Sequence, residues 1–296
     1  MLKIAFVILN YGTYDETREC VQSIEDHLDV EVENYNITIV DNGSKEESQI
    51  KLKKLYNNRS GIDLIENGDN FGFARGNNVG IKHVCKTYDP EFVVVLNSDT
   101  ELFQDDLYSK LSAEYDHSGF GLLGPMMCIA GGRCDDSPWK PIDIGAIETK
   151  LAEYERTRQK ILNGTIVLDK VINRIKKGVF GFEWQDTFHK HCDYWKYQTD
   201  VELQGAFLVF SKKLLEHIEG FDSRTFLYYE EQLLYLKVKK TGLPIVYDPR
   251  ICIYHKDGRT TSKLSGATKD KLLFLNQCNI DSLRILRDEL IAGETV

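Results

Sequence analysis

The stretch that decides the fold is FVVVLNSDT, residues 92–100. Phe92 to Leu96 form an unbroken apolar run, as a strand buried on both faces of a parallel sheet requires. The run stops at Asn97, Ser98 and Asp99, leaving a carboxylate and two polar neighbours at the strand's carboxyl end. Open α/β sheets bind their ligands at that end.

Three earlier units repeat the design. KIAFVILNY is a strand ending at Asn10 and Tyr11, and GTYDETRECVQSIEDHLD is an amphipathic helix with Thr17, Val21, Ile24 and Leu28 on one face. Thr13 and Glu16 fit a capping box at its start. NITIVDNGS is the second strand, ending at Asp41, and Ser44 with Glu47 opens the next helix in the same way. DLIE is a short third strand. It leads into NGDNFGFARGNNVGIKHVCKTY, where glycines 68, 72, 76 and 80 open a helix with Ala74, Ile81, Cys85 and Tyr88 inward. Four strand–helix units in succession predict an α/β fold with a doubly wound, mostly parallel sheet.

Composition narrows the classes. A length of 296 residues suffices for one large α/β domain, and 42% hydrophobic with 28% charged residues suits a globular protein. A net charge of −9 speaks against a nucleic-acid partner. No apolar run is long enough to span a bilayer. The start MLKIAFVILNY lacks the features of a signal peptide and reads as a core strand. The seven cysteines form no CxxC pair, consistent with reduced thiols in a cytoplasm.

Three strand ends carry groups suited to a nucleotide. Asp41 can accept hydrogen bonds from a base or ribose, and glycines ahead of a helix let backbone amides approach an anion. Arg75 can pair with phosphate. The segment matches neither GxGxxG nor the Walker pattern, which disfavours a dehydrogenase or a P-loop enzyme.

The series VILNY, VDNGS, NFGFARGNN and VLNSDT resembles the family 2 glycosyltransferases of the GT-A fold, and within them the branch of bacterial rhamnosyltransferases. The resemblance implies a nucleotide-sugar donor, with Asn10, Tyr11, Asp41, Asn70, Gly72, Arg75, Asn77, Asn97 and Ser98 as donor contacts. Asn97-Ser98-Asp99 would stand in for the DXD motif, with Asp99 as ligand to Mg²⁺ or Mn²⁺. The first acidic position is Asn97 here.

The second half is less regular. GFGLLGPMM is a further strand, and residues 133–200 break the alternation. IETKLAEYERTRQKILNG and TIVLDKVINRIKKG read as two locally basic helices divided at Gly164, followed by an aromatic stretch that includes Trp184 and Trp195. This insertion suits either packing on the sheet or an acceptor-side wall or membrane-surface contact. His189, His191 and Cys192 with Cys128 and Cys134 fit no standard zinc spacing.

ELQGAFLVFSKKLLEHIEGFD resumes the strand–helix pattern. FLYYEEQLLYLKVKKTG then places Glu230 and Glu231 at a helix start, with Leu233, Leu234 and Val238 on its buried side and Gly242 as C-cap. The resemblance aligns this stretch with a family segment GFDExFFxYxEDxDLxxR, whose ED pair supplies the base that deprotonates the acceptor. Carried over, the base is Glu231 and its neighbour Glu230. Two departures stand out: Asp has become Glu at 231, and the later Asp is Leu233. His255 follows the last strand where the family commonly has a metal-site histidine, with Lys256 or Arg259 near phosphate.

The reading is therefore an inverting, metal-dependent glycosyltransferase acting on a glycan or lipid-linked acceptor, with bacterial surface polysaccharide as the expected context. A donor-binding protein without catalysis and a nucleotidyltransferase are the alternatives. The expected layout is a donor-binding half over 1–127, an insertion over 128–201, an acceptor half over 202–262 and an amphipathic helix over 263–296. That helix can cover the sheet, pair with a second subunit or rest on a membrane, and a peripheral contact at the inner face of the plasma membrane is left open.

Overall fold

The computed structural model describes residues 2–130, 133–134, 137–165, 190–256 and 268–294. Its elements in chain order are β1 (Ile4–Asn10), α1 (Tyr14–His27), β2 (Tyr35–Asp41), α2 (Glu46–Tyr56), β3 (Ile62–Glu66), α3 (Phe73–Thr87), β4 (Phe92–Asn97) and β5 (Thr100–Glu101). Then come α4 (Leu107–Ser118), β6 (Leu122–Ile129), β7 (Arg133–Cys134), β8 (Trp139–Lys140), α5 (Ile144–Leu162), β9 (Lys190–His191) and β10 (Gln198–Thr199). The last are β11 (Phe207–Ser211), α6 (Lys212–Leu215), α7 (Glu230–Lys239), β12 (Ile245–His255) and α8 (Lys269–Glu294).

The main sheet runs β10-β12-β6-β11-β4-β1-β2-β3. Strands β4, β1, β2 and β3 are parallel, and the register aligns their ends: Asn10 lies opposite Asp41, and Leu9 opposite Asn97. Antiparallel pairs enter beyond that point. β11 enters between β4 and β6 and runs antiparallel to both, while β6 and β12 pair in parallel. The sheet is mixed, and β11 is a single reversed strand between two neighbours that run the same way.

Alternation along β1 divides the core. Ile4, Phe6 and Ile8 face one apolar layer with Val21 and Ile24 of α1, whereas Ala5 and Val7 face the other with Ile81 and Val84 of α3. Each such fully buried aliphatic or aromatic side chain contributes ~1.5–3 kcal/mol. Glycine is required where α3 lies on β1, since a Cβ at Gly80 would stand 2.3 Å from Val7 Cγ1. A third layer joins Ile147 and Leu151 of α5, Ile280, Leu283 and Leu286 of α8, and Tyr229 and Leu233 at the start of α7. Thus α8 packs on other helices, not on the open sheet.

The caps differ from the sequence expectation. Neither Thr13 nor Ser44 caps a helix through its side chain, because both hydroxyls are drawn into the polar network described below. The C-cap of α7 is Lys240, with Gly242 in the left-handed region two residues on. The second basic helix and most of the aromatic stretch lie outside the described residues, as do His189 and Arg259. Among the described residues no helix is long and apolar enough to cross a membrane.

Candidate active site

The ends of β1, β2 and β4 are stitched together around Asn10. Its amide donates to Asp41 Oδ1 at 2.6 Å and to Ser44 Oγ at 2.9 Å. Its carbonyl oxygen accepts from the hydroxyls of Thr13 and Thr17 at 3.1 and 2.9 Å. Thr13 in turn shares a 2.9 Å contact with the Ser98 hydroxyl, tying β1 to the turn after β4. Asp41 Oδ2 accepts from Gln49 Nε2 at 3.1 Å and from the Ser44 amide at 3.3 Å. Asp41 is therefore buried with donors on both oxygens, and it braces the site from below. Tyr11, one residue past β1, is 56% exposed at the rim.

A second hub escaped the sequence reading. Buried Asn42 donates to Asn70 Oδ1 and the Gly72 carbonyl, each at 3.0 Å, and accepts from Asn67 and the Phe71 amide. Its only signal in the sequence was its place directly after Asp41. Asn70 also accepts from the Gly72 amide at 2.9 Å. Gly72 has φ +81°, and a Cβ there would meet the Phe226 carbonyl oxygen at 2.2 Å. That same carbonyl accepts from the Phe73 amide at 2.9 Å.

The glycine-rich turn is thereby docked on the loop that precedes α7. Arg75 extends this docking, with its Nε donating to the Ser223 carbonyl at 2.8 Å, and Asn78 binds the main chain of Phe221 in both directions. Asn77 is buried and donates to the Phe73 carbonyl at 3.1 Å, while its own side-chain oxygen has no donor.

Asp99 meets His255 because β5 pairs with the end of β12, setting His255 opposite Thr100. His255 Nε2 lies 3.5 Å from Asp99 Oδ1, and both residues are buried. The Lys256 amide donates to the Asp99 carbonyl at 2.9 Å, while its ammonium is held by Glu101 at 2.5 Å and by Glu19. The Asp99 carboxylate is thus left beside an imidazole instead of a lysine. Among the described residues no group of three or more His, Cys, Asp or Glu side chains is arranged to hold a metal.

The third component is the start of α7. Tyr228 and Tyr229 both have positive φ, 75° and 64°. Two consecutive bulky residues in that region are a local strain that the surrounding packing must hold. Glu230 is buried, with Oε1 lacking any donor. Half-buried Glu231 lies against Gly205, whose amide donates to it, and a Cβ on that glycine would stand 2.5 Å from Glu231 Oε1. Gly205 adjoins Ala206, whose carbonyl accepts from the Asn97 amide at 2.9 Å. The Glu231 carboxylate is therefore linked to the Asn97-Ser98-Asp99 turn through two intervening residues.

Burial raises both carboxyls, and the charge on Glu231 adds to the rise at Glu230, which reaches about 8. Backbone amides work against the rise at both, that of Gly205 at Glu231 and that of Tyr228 at Glu230. A third carboxyl, Glu202, was not expected. Burial pushes it up to about 7, against the pull of the Ile142 amide and the Gln232 side chain.

The comparisons with known proteins converge on one family. The family model described as Glycosyl transferase family 2 matches residues 5–219, and the chain belongs to that family. The rhamnosyltransferase WbbL of Escherichia coli K12 is 22% identical over 257 residues, 85% of this chain and 83% of that protein. The low-salt glycan biosynthesis hexosyltransferase Agl10 of Haloferax volcanii is 26% identical over 132 residues, covering 39% of this chain and 41% of its own. Among solved structures, S. aureus TarS 1–349 in complex with UDP aligns with a TM-score of 0.54 at 13% identity, over 93% of this chain and 65% of that one. GalNAc-T7 with UDP, GalNAc and Mn²⁺ aligns at 0.56 with 11% identity, over 86% and 44%. At such identities the structural likeness carries the fold, which is of the GT-A type.

Proposed function

We propose that this family 2 member is an inverting, metal-dependent glycosyltransferase. It would move a sugar from a UDP- or dTDP-linked donor to a hydroxyl of a glycan or lipid-linked acceptor. The single observation that carries this reading is the approach of Glu231, through Gly205 and Ala206, to the Asn97-Ser98-Asp99 turn. A base and a diphosphate-binding turn must share one cleft for a hydroxyl to be deprotonated and attack the anomeric carbon from the side opposite the leaving group.

Each residue has a part in that scheme. Glu231 would take the acceptor proton, and the rise in its carboxyl makes it the stronger base once ionised. Glu230, still protonated beside it, would keep a second negative charge out of the cleft. The Asn10–Asp41–Ser44 network would hold the three strand ends rigid beneath the nucleotide, with Asn70, Gly72 and Asn77 setting the turn that approaches it. Tyr11 at the rim would offer its ring to the donor. Asp99 and His255 suit a divalent ion, since a buried carboxylate and an imidazole meet there while the Lys256 ammonium is engaged by Glu19 and Glu101. Bound Mg²⁺ or Mn²⁺ would offset the charge of the departing nucleoside diphosphate.

The WbbL and Agl10 likenesses support a hexose or deoxyhexose donor, and the TarS complexes with UDP and UDP-GlcNAc support a uridine carrier. The test is release of nucleoside diphosphate from a panel of UDP- and dTDP-sugars, with and without acceptor saccharides, by wild type and Glu231→Gln. Release by wild type and not by the variant is expected. Equal release by both would move the base to another residue.

A further inference from the structure

The helix that carries Glu231 has an acidic contact that the scheme above leaves unused. Glu202 is 1% exposed. Its Oε1 accepts from the Ile142 amide at 2.8 Å, and its Oε2 accepts from Gln232 Nε2 at 3.2 Å. Its main chain is paired in both directions with Trp139, at 2.9 and 3.0 Å. Gln232 is buried and directly follows Glu231.

Residues 202–205 therefore reach the first turn of α7 twice, through Glu202 to Gln232 and through Gly205 to Glu231. The turn needs such anchors. The backbone leading into it is left-handed at Tyr228 and Tyr229, so local conformational preference works against its position. Ser282 of α8 adds one tie, donating to the Leu227 carbonyl at 3.0 Å. A buried carboxylate is a costly way to make a contact that apolar packing could make instead. What it offers is direction, because two donors at fixed angles define where Gln232, and hence Glu231, must lie.

We infer that Glu202 is a positioning residue for Glu231, fixing the first turn of α7 through Gln232 and joining it to the entry of α5 through Ile142. The inference rests on the reading of Glu231 as the base. In Glu202→Leu both bonds are lost. In Glu202→Gln both survive, since the Gln232 amide can turn over to present its oxygen.

The experiment compares wild type, Glu202→Leu and Glu202→Gln in donor turnover and in the pH titration of the Gly205 amide resonance, which reports on the Glu231 carboxylate without requiring activity. We expect Glu202→Leu to lower kcat by about 10-fold or more, with donor KM within about twofold, and Glu202→Gln to recover to within about threefold of wild type. The Gly205 resonance should move with pH in wild type and Glu202→Gln, and lose that movement in Glu202→Leu. A folded Glu202→Leu protein whose Gly205 resonance titrates as in wild type overturns the inference. Should that variant not fold, Gln232→Leu breaks the same bond and is read identically. Full turnover by Glu231→Gln would instead sink the reading of the base, and the Gly205 titration would still decide the role of Glu202.

Discussion

The two halves of the site are built on opposite principles. At the ends of β1 and β2 the polar groups pair with one another: Asn10 uses both ends of its amide, and Asp41 has donors on both oxygens. At the start of α7 two tyrosines sit in left-handed backbone, a buried carboxyl oxygen lacks a donor, and three carboxyls are raised by burial. The satisfied half is scaffold, and satisfaction makes it rigid. The unsatisfied half holds perturbed groups where proton transfer is proposed, at a cost that the rest of the fold must offset.

The sharpest way to break this contrast is Glu231→Gln. If the strained half holds the base, turnover should fall ~10²–10⁴-fold while nucleotide affinity stays within about twofold. Steady-state kinetics beside equilibrium binding would check it.

Asn10→Ala tests the other half and should act on stability. Four hydroxyl or carboxyl partners, on Asp41, Ser44, Thr13 and Thr17, lose their bonds at once, for a destabilisation of about 3 kcal/mol. Denaturant titration would report it, and a loss below ~1 kcal/mol would mean that the network is not the scaffold described.

The raised carboxyls give a pH signature with a definite sign. A carboxyl whose folded pKa lies above its unfolded value binds more protons when native, so stability is greatest below pH ~4.5 from this source and falls as pH rises. For Glu202, moving from 4.5 to about 7, the loss is on the order of 3 kcal/mol between pH 4.5 and 8. Glu230, at about 8, extends the same trend upward. Calorimetric Tm should drop across this window in wild type and drop less in Glu202→Gln, and parallel curves for the two would contradict the burial argument.

Arg75→Ala should have the smallest effect. Its Nε donates to the Ser223 carbonyl, one of five N–H groups on the guanidinium, so stability should fall by about 1 kcal/mol, and donor affinity should change less than threefold. A tenfold loss of affinity would return Arg75 to the phosphate.

The parallel half was legible because unbroken apolar runs such as Phe92–Leu96 have one reasonable fate. β11 reads equally well as a strand, yet its direction depends on β6 and β4 arriving on either side of it, and nothing local to FLVFS encodes that. The capping boxes failed for an instructive reason. Thr13 and Ser44 have the right residue types and spacing, but Asn10 offers an acceptor to the first hydroxyl and a donor to the second. Among the candidate site residues, Glu230, Glu231, Asp99 and His255 stand out in the sequence through the motifs they resemble. Glu202 did leave a signal, a lone carboxylate between Val201 and Leu203, both buried, and its role became visible only when Gln232 and Ile142 were seen to converge on it.

The most direct test of the central claim is calorimetric titration of UDP, dTDP and GDP, each with Mn²⁺ and with EDTA, into wild type and Asp99→Ala. The account predicts that UDP or dTDP binds wild type only with the metal, and that Asp99→Ala weakens this about tenfold or more. Binding that ignores both EDTA and the substitution, or no nucleotide binding at all, would contradict it.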